Sequence, residues 1–146
     1  MANAGSTPQN SENNKPLIYF LCNSNCGKSQ MAEAIMRLRA GDSVDVRSAG
    51  VKPGSEVNAE SVASLSRIGA DMSNGEPTAI DGDVMATADR VIVVGGAEIP
   101  QYDGMKTSVE RWEVDEPSLR GIHGDGRMDL LRDEIDQRVQ NLVDEL

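Results

Sequence analysis

The stretch Leu17-Ile18-Tyr19-Phe20-Leu21, followed by Cys22-Asn23-Ser24-Asn25-Cys26-Gly27-Lys28-Ser29, decides the fold. Its five apolar residues predict a buried strand, and the polar octapeptide predicts a tight loop. Apolar residues then recur at helical spacing, at Met31, Ala34, Ile35 and Leu38. The sequence therefore predicts a strand, a loop and a helix N-terminus, with a cysteine at the first position of the loop.

The loop is predicted to bind an anion and to hold a nucleophile. Successive backbone N–H groups of such a loop, together with the positive end of the helix dipole, point at one small volume. A helix N-terminus and a nearby ammonium both favour the thiolate form of a cysteine, so Cys22 is predicted to be reactive beside Lys28. The site suits chemistry on a tetrahedral oxyanion.

Composition bounds the classes of function. The chain has 146 residues, of which 38% are hydrophobic and 26% charged. This length favours one domain with an ordinary core, which needs neither a metal nor a disulfide for stability. The formal net charge of -10 argues against nucleic-acid or anionic-membrane partners, which need a basic surface. An anionic substrate must then be held by local dipoles.

The chain divides into a tail and a domain. Residues 1–15 are polar, without an apolar stretch, and are interpreted as a disordered tail that is neither a secretory signal nor a membrane anchor. Residues 16–146 are interpreted as a single α/β domain, with no window near the roughly 18 apolar residues of a spanning helix. The two cysteines form neither a disulfide framework nor a zinc site, so we expect no bound metal and a reducing, cytoplasmic location.

Short apolar runs alternate with helical patterns after the loop, which is typical of a parallel sheet. Strands are predicted at residues 44–48, ended by Ala49-Gly50, at 90–94 and, more weakly, at 109–114. Helices are predicted after Asn58 as N-cap, with Gly69 as the C-cap glycine, at residues 83–88 and at 127–146. The result is a doubly wound four-stranded parallel sheet, whose ligands bind beyond the carboxyl ends of its strands.

Two patterns of anion-binding loop compete for the octapeptide. A Walker A loop has the same spacing, but Cys22 stands where that motif has its first glycine. A nucleotide site also needs an acidic residue at the end of an apolar strand to hold magnesium, and the strand at 90–94 is followed by Gly95-Gly96. The rival pattern is Cys, five residues, a basic residue and Ser, which explains Cys22.

The rival pattern resembles low-molecular-weight tyrosine phosphatases and the arsenate reductases that share their fold. The resemblance covers nearly everything after the tail, and it includes residues 30–34, Ser48-Ala49-Gly50 and an acid-proline pair, Glu116-Pro117, after Trp112. Within this superfamily the chain is most similar to mycothiol-dependent arsenate reductases, or arsenate-mycothiol transferases. The similar segments are Gly27-Lys28-Ser29 and residues 68–73, 110–112 and 132–136.

The resemblance implies an enzyme of arsenate detoxification. The Cys22 thiolate attacks arsenic, Ser29 donates a hydrogen bond to that thiolate, and Asn25 shapes the loop in left-handed geometry. Glu116, or alternatively its neighbour Asp115, protonates the departing oxygen. The Lys28 ammonium and the backbone amides hold the oxygens of the substrate. The predicted substrate-binding residues are Asn23, Ser24, Asn25, Cys26, Gly27, Lys28 and Ser29.

Departures from the family patterns concern activity and electron supply. Lys28 stands where tyrosine phosphatases carry an arginine that grips phosphate with two hydrogen bonds, so weak phosphoester hydrolysis is expected and a tyrosine phosphatase is the alternative function. Thioredoxin-coupled arsenate reductases carry two further cysteines after the central strand, but residues 95–100 contain none. The resemblance therefore implies mycothiol as co-substrate, no bound cofactor, and a mycoredoxin that completes reduction to arsenite.

Two residues receive no catalytic role from the sequence. Cys26 lies one place earlier than the second loop cysteine of many family members, and a small buried filler is the favoured interpretation. His123 lies in a glycine-rich loop without the partners of a catalytic histidine, and it is interpreted as an exposed loop residue.

Overall fold

The structure, a computed structural model, describes residues 15–114 and 125–146. Within them the strands are β1 (Leu17–Cys22), β2 (Asp45–Gly50), β3 (Arg90–Val94) and β4 (Val109–Trp112). The helices are α1 (Lys28–Ala40), α2 (Ala59–Ser66), α3 (Gly82–Thr87) and α4 (Asp125–Glu145), and a 3-10 turn (Gly41–Ser43) follows α1. The predicted disordered tail, except for Lys15, lies outside the described residues.

The four strands form one parallel sheet in the order β2-β1-β3-β4. Side chains of β1 such as Phe20 face a core formed with α1, α2 and α4. Alternate residues such as Tyr19 face the other side of the sheet, where they pack with α3. Helices thus cover both faces, and the predicted doubly wound four-stranded parallel sheet is confirmed.

The end of β2 was predicted wrongly. Ala49 and Gly50 were expected to end the strand, but both belong to it and pair with Leu21 and Cys22 of β1. Gly50 serves a close approach between chain segments, because a Cβ atom there would lie 2.8 Å from the backbone nitrogen of Asn25. Its missing side chain lets the loop after β1 pack directly on β2.

The caps predicted for α2 are confirmed. The Asn58 side chain accepts a hydrogen bond from the Ser61 N–H at 2.8 Å. Gly69 has a φ of +86°, and bonds from Gly69 N to Ser66 O and from Ala70 N to Leu65 O close the helix end in a Schellman motif.

Other predicted boundaries differ from the structure by a few residues. Helix α1 begins at Lys28, so Lys28 and Ser29 form its first turn rather than the end of the loop. Strand β4 ends at Trp112, two residues before the predicted end. Helices α3 and α4 each begin and end one or two residues before the predicted limits.

Candidate active site

Cys22 lies at the carboxyl end of β1, on the wall of a cleft of about 260 Å³. The residue is 5% exposed. Asn58, Gly96, Arg127 and Met128 also line the cleft. A central strand of the sheet therefore delivers the thiol to a cavity that can hold a small anion and part of a second molecule.

Two polar groups, one from the first turn of α1 and one from the loop, contact the sulfur of Cys22. Ser29 Oγ lies 2.9 Å from Cys22 Sγ, and the backbone N–H of Asn25 donates to the same sulfur at 3.2 Å. Ser29 is fully buried, so its hydroxyl is held in this position by the protein. Hydrogen bonds donated to sulfur stabilise negative charge on it.

The N-terminus of α1 faces the same loop without a protein cap. Its N-cap residue is Gly27, which supplies no side-chain hydrogen bond, and its first turn contains no acidic residue. The first N–H groups of a helix have no acceptor within the helix. A bound oxyanion would accept hydrogen bonds from these groups and would sit at the positive end of the helix dipole.

Asn25 organises the loop from beneath. It is fully buried and has a φ of +58°, so the left-handed backbone predicted for it is confirmed. Its Nδ2 donates to Ser29 Oγ at 2.7 Å and to Ser48 Oγ at 3.0 Å. Its Oδ1 accepts from Thr78 N at 2.9 Å and from Gln30 Nε2 at 3.3 Å. These bonds offset the cost of the left-handed conformation.

Lys28 lies between the loop and the segment after β3. Its side chain packs on Gly95, where a Cβ atom would come within 3.1 Å of Lys28 Cδ and 3.4 Å of Nζ. Gly95 has a φ of +100°, and its carbonyl oxygen accepts a hydrogen bond from Arg111 Nη1 at 2.5 Å. The segment after β3 therefore packs against Lys28. Its positive φ and its short distance to the Lys28 side chain each require a glycine at position 95.

Cys26 is half-buried and lines the cleft near Cys22. Its Sγ lies 3.6 Å from Ser24 O, and its backbone N–H donates to Ser24 Oγ at 3.3 Å. A Cβ atom at Gly54 would collide with Cys26 Sγ, so Gly54 leaves room for the sulfur. Cys26 was interpreted as a small buried filler; the structure places it half-buried, with one side bordering the cleft.

Some residues singled out in the sequence lie outside the described residues. These are Glu116 and Asp115, the two candidates for the general acid, and His123. In the described part of the chain, no group of three or more His, Cys, Asp or Glu residues could hold a metal ion. None of the helices in residues 15–114 and 125–146 is long and apolar enough to cross a membrane.

Sequence reasoning missed several residues of the site. Arg127 and Asn58 line the cleft, and Gln30, Ser48 and Thr78 hold Asn25. Asn58 was identified only as a helix cap, and Gln30 and Ser48 only as parts of segments that resemble the family. Because these residues lie far from the octapeptide in sequence or point beneath the loop, no local pattern indicated their contacts with it.

Comparisons with known proteins show what the chain is similar to. Residues 17–146 match the family described as low molecular weight phosphotyrosine protein phosphatase. An arsenate reductase of Halalkalibacterium halodurans is 32% identical over 136 residues, which cover 90% of this chain and 97% of that protein. An arsenate reductase of Bacillus subtilis is 31% identical, with 88% and 95% of the two chains covered.

A solved structure is similar over most of the chain. It is a thioredoxin-dependent arsenate reductase of Corynebacterium glutamicum, with 33% sequence identity and a TM-score of 0.73. The similarity covers 90% of this chain, which spans 61% of the length of that structure. The match to a phosphatase family, rather than to a nucleotide-binding one, leaves the Walker A interpretation of the loop without support.

Proposed function

The chain belongs to the low molecular weight phosphotyrosine protein phosphatase family, and we propose that within this family it is an arsenate reductase with Cys22 as its nucleophile. The observation that carries the proposal is the set of groups around Cys22 Sγ. The sulfur receives contacts from Ser29 Oγ and Asn25 N directly beside the uncapped N-terminus of α1. The curated relatives named arsenate reductase support the choice of arsenate over a phosphoester.

The first step is attack of the Cys22 thiolate on arsenic. A sulfur–arsenic bond forms, one arsenic–oxygen bond breaks, and the departing oxygen leaves as water once it is protonated. The amides of residues 23–29 and the Lys28 ammonium hold the remaining oxygens, where negative charge is concentrated during the displacement. Glu116, or alternatively Asp115, supplies the proton in this proposal.

The second step transfers the arseno group to an external thiol. The thiolate of mycothiol attacks arsenic, its sulfur–arsenic bond forms, and the bond to Cys22 breaks, which regenerates the enzyme. A mycoredoxin thiolate then attacks the mycothiol sulfur and releases arsenite. The two sulfur atoms become a mixed disulfide and supply the two electrons that reduce arsenic.

An external thiol is proposed because the segment after β3 contains no pair of cysteines that could resolve the sulfur–arsenic intermediate. The only cysteines of the protein are Cys22 and Cys26, both in the loop after β1. A disulfide between them would need a Cα separation of roughly 4.4 to 6.8 Å and would distort the amides that bind the next anion. The soluble thiols of a reducing cytoplasm are the natural source of electrons.

Steady-state arsenite formation tests the proposal. The enzyme is supplied with arsenate and, separately, with mycothiol plus mycoredoxin or with thioredoxin, its reductase and NADPH. We expect sustained turnover in the first mixture and none beyond a single turnover in the second. Sustained turnover with thioredoxin that is lost in Cys26→Ser would show that the loop dithiol supplies the electrons and that mycothiol is the wrong thiol.

The alternative function is a protein tyrosine phosphatase, which the family match favours. Lys28 argues against it, because lysine offers a point charge where a planar guanidinium would bind the phosphoryl group with two parallel hydrogen bonds. Hydrolysis of p-nitrophenyl phosphate should therefore be slow. Fast hydrolysis together with no thiol-dependent arsenite formation would make the phosphatase the correct function.

A further inference from the structure

The cleft at Cys22 has more room than an anion in the loop would fill. Its volume is about 260 Å³, whereas an oxyanion such as arsenate has five heavy atoms and one water takes up roughly 30 Å³ of liquid. The lining outside the loop includes Asn58, the N-cap of α2, and Arg127, in the first turn of α4. Space and polar groups therefore remain for part of a second molecule beside the anion.

The amide of Asn58 has a donor side that the protein does not use. Its Oδ1 accepts from Ser61 N at 2.8 Å and from the buried Ser61 Oγ at 3.1 Å. Because a backbone N–H can only donate, these bonds identify the amide oxygen, and the other side of the amide is the NH₂ group. Within residues 15–114 and 125–146, this NH₂ group has no hydrogen-bond acceptor. A molecule bound in the cleft can accept from it.

Arg127 adds further donors, which one carboxylate holds in place. Its side chain is 23% exposed, and its Nη2 donates to Glu60 Oε1 at 3.2 Å. Glu60 lies in the first turn of α2, and its side chain is 47% exposed. A guanidinium has five N–H groups and no acceptor, so donors remain after this bond. Asn58 and Arg127 together favour a ligand group that offers several hydrogen-bond acceptors.

Apolar side chains form the rest of this wall. Met128 is 5% exposed, and its Sδ lies 3.5 Å from Ser61 Oγ. Val94 and Leu131 also line the cleft. A mostly apolar surface with a few placed polar groups is typical of sites for small molecules. The wall therefore suits a small thiol, with an apolar methylene next to its sulfur and a polar body beyond it.

The charges near this wall disfavour a carboxylate on the ligand. Arg127 is paired with Glu60, so the pair carries no net charge. The anion in the loop and the formal net charge of -10 both repel a further negative group. A neutral body with hydroxyl and amide groups meets no such repulsion, and it can still accept from Asn58 and Arg127.

We propose that Asn58 and Arg127 form the subsite for the polar body of the external thiol, and that Glu60 makes this subsite select a thiol without carboxylates. Mycothiol, which carries hydroxyl and amide groups and no carboxylate, belongs to this class, whereas glutathione has two carboxylates. No bond is made or broken at the subsite. The inference rests on the proposed function, because it takes an external thiol as the second substrate at Cys22.

Binding of S-methyl mycothiol tests the subsite, because its blocked sulfur cannot react. The thioether is titrated into enzyme saturated with phosphate, and the shifts of backbone amide NMR signals give its dissociation constant. We expect saturable binding, which Arg127→Ala weakens about ten-fold and Asn58→Ser about five-fold through the loss of hydrogen bonds. Asn58→Ser keeps a capping oxygen for α2 and removes only the NH₂ group, so the helix should be retained.

Arg37→Ala is the matched control, since it removes an arginine paired with a glutamate in the last turn of α1, at the far end of that helix from the cleft. Its affinity for S-methyl mycothiol, and the affinity of Arg127→Ala for phosphate alone, should both stay within about two-fold of the wild-type values. A large loss of phosphate binding in Arg127→Ala would assign Arg127 to the anion and overturn the inference. Unchanged thioether binding in both subsite variants, or no saturable binding to the wild type, would also overturn it.

Glu60→Gln tests the selection against carboxylates. S-methyl glutathione should bind the wild type more weakly than S-methyl mycothiol does. Glu60→Gln should strengthen binding of S-methyl glutathione about three-fold, because an exposed carboxylate no longer repels the ligand, and should change binding of S-methyl mycothiol less. Tighter binding of S-methyl glutathione than of S-methyl mycothiol to the wild type, or no gain in Glu60→Gln, would contradict the role of Glu60.

The binding assay contains no arsenate, so its outcome is independent of the reaction. A protein that binds S-methyl mycothiol through Asn58 and Arg127 but forms no arsenite would contradict the proposed function alone. Mycothiol-dependent arsenite formation with the same KM for mycothiol in Arg127→Ala, Asn58→Ser and the wild type would contradict the subsite alone.

Discussion

The two ends of helix α1 differ in the charged and capping groups that the protein places there. At the C-terminal end, Arg37 and Arg39 lie in the last turn, where positive charge complements the helix dipole. Arg39 donates to both carboxylate oxygens of Asp136 on α4, at 2.9 and 2.6 Å. At the N-terminal end, Gly27 provides no side-chain cap and no acidic residue stands in the first turn.

The protein itself supplies the groups that stabilise the C-terminal end of α1. It leaves the N-terminal end without a cap, where a ligand can bind. A capped N-terminus would have filled the acceptor positions that an oxyanion needs. The C-terminal end has no such task, and it anchors the helix to α4. The following predictions test this contrast.

The largest effect is expected from the nucleophile at the N-terminal end. Cys22→Ser should reduce thiol-dependent arsenite formation to background, because a serine hydroxyl remains protonated and is a poor nucleophile for arsenic. Cys26→Ser should keep most of the activity, since its sulfur borders the cleft without contacting Ser29. Comparable losses in both variants would instead indicate an obligatory disulfide between the two cysteines.

Anion binding should complete the uncapped end and stabilise the fold. A ligand present at 100 times its dissociation constant stabilises the folded state by about 2.7 kcal/mol. For a protein of this size, phosphate or arsenate should then raise the Tm by roughly 5–10 °C. The rise should persist in Cys22→Ser, because backbone amides bind the anion. An equal rise in chloride at matched ionic strength would contradict a specific site.

The support of Lys28 at the same end depends on Gly95. Gly95→Ala should lower the free energy of unfolding by about 2 kcal/mol, because the residue has a φ of +100° and the new Cβ atom would press on Lys28. Gly96→Ala is the control, since no described atom lies within 4 Å of a Cβ there. Urea unfolding measures both, and equal losses would show that the space around Lys28 is irrelevant.

The smallest effect concerns the C-terminal end and depends on pH. The hydrogen bonds from Arg39 hold the pKa of Asp136 below its usual value, with the Arg39 charge adding to the effect. A carboxyl whose pKa falls on folding contributes stability above its unfolded pKa of about 3.9, and this contribution is lost as pH falls through the lower folded value. Asp136→Asn should cost about 1 kcal/mol at pH 7, because Arg39 is partly exposed to solvent.

The same variant supplies its own check at low pH. Urea unfolding at pH 7 and at successively lower pH should show a constant gap between wild type and Asp136→Asn down to about pH 4. Below that value the gap should close. Asp133→Asn, on an exposed side of α4, is the control and should show little change at any pH. A gap that widens at low pH would contradict the assigned origin of the pKa shift.

Much of the fold could be predicted from local patterns. The apolar run of β1, the β-branched run of β3, and the caps Asn58 and Gly69 each express a preference that acts over a few residues. The boundary at Gly50 could not be predicted, because this glycine leaves room for the backbone of Asn25, which lies in the loop after the neighbouring strand β1. Local sequence patterns associate glycine with the end of a strand, and they carry no information about contacts between distant segments of the chain.

The sequence by itself determined that a strand presents Cys22 to the N-terminus of a helix, since periodicity and loop composition are local properties. It also determined that no further cysteine is available. Only the tertiary structure decided which groups surround the loop. The bonds of Asn25 to Ser48 and Thr78 join residues 23 and 53 positions apart, as does the packing of Lys28 on Gly95 across 67 positions of sequence. Such contacts depend on the geometry of the packed sheet, because hydrogen bonds form only within about 3 Å and no local preference specifies their partners.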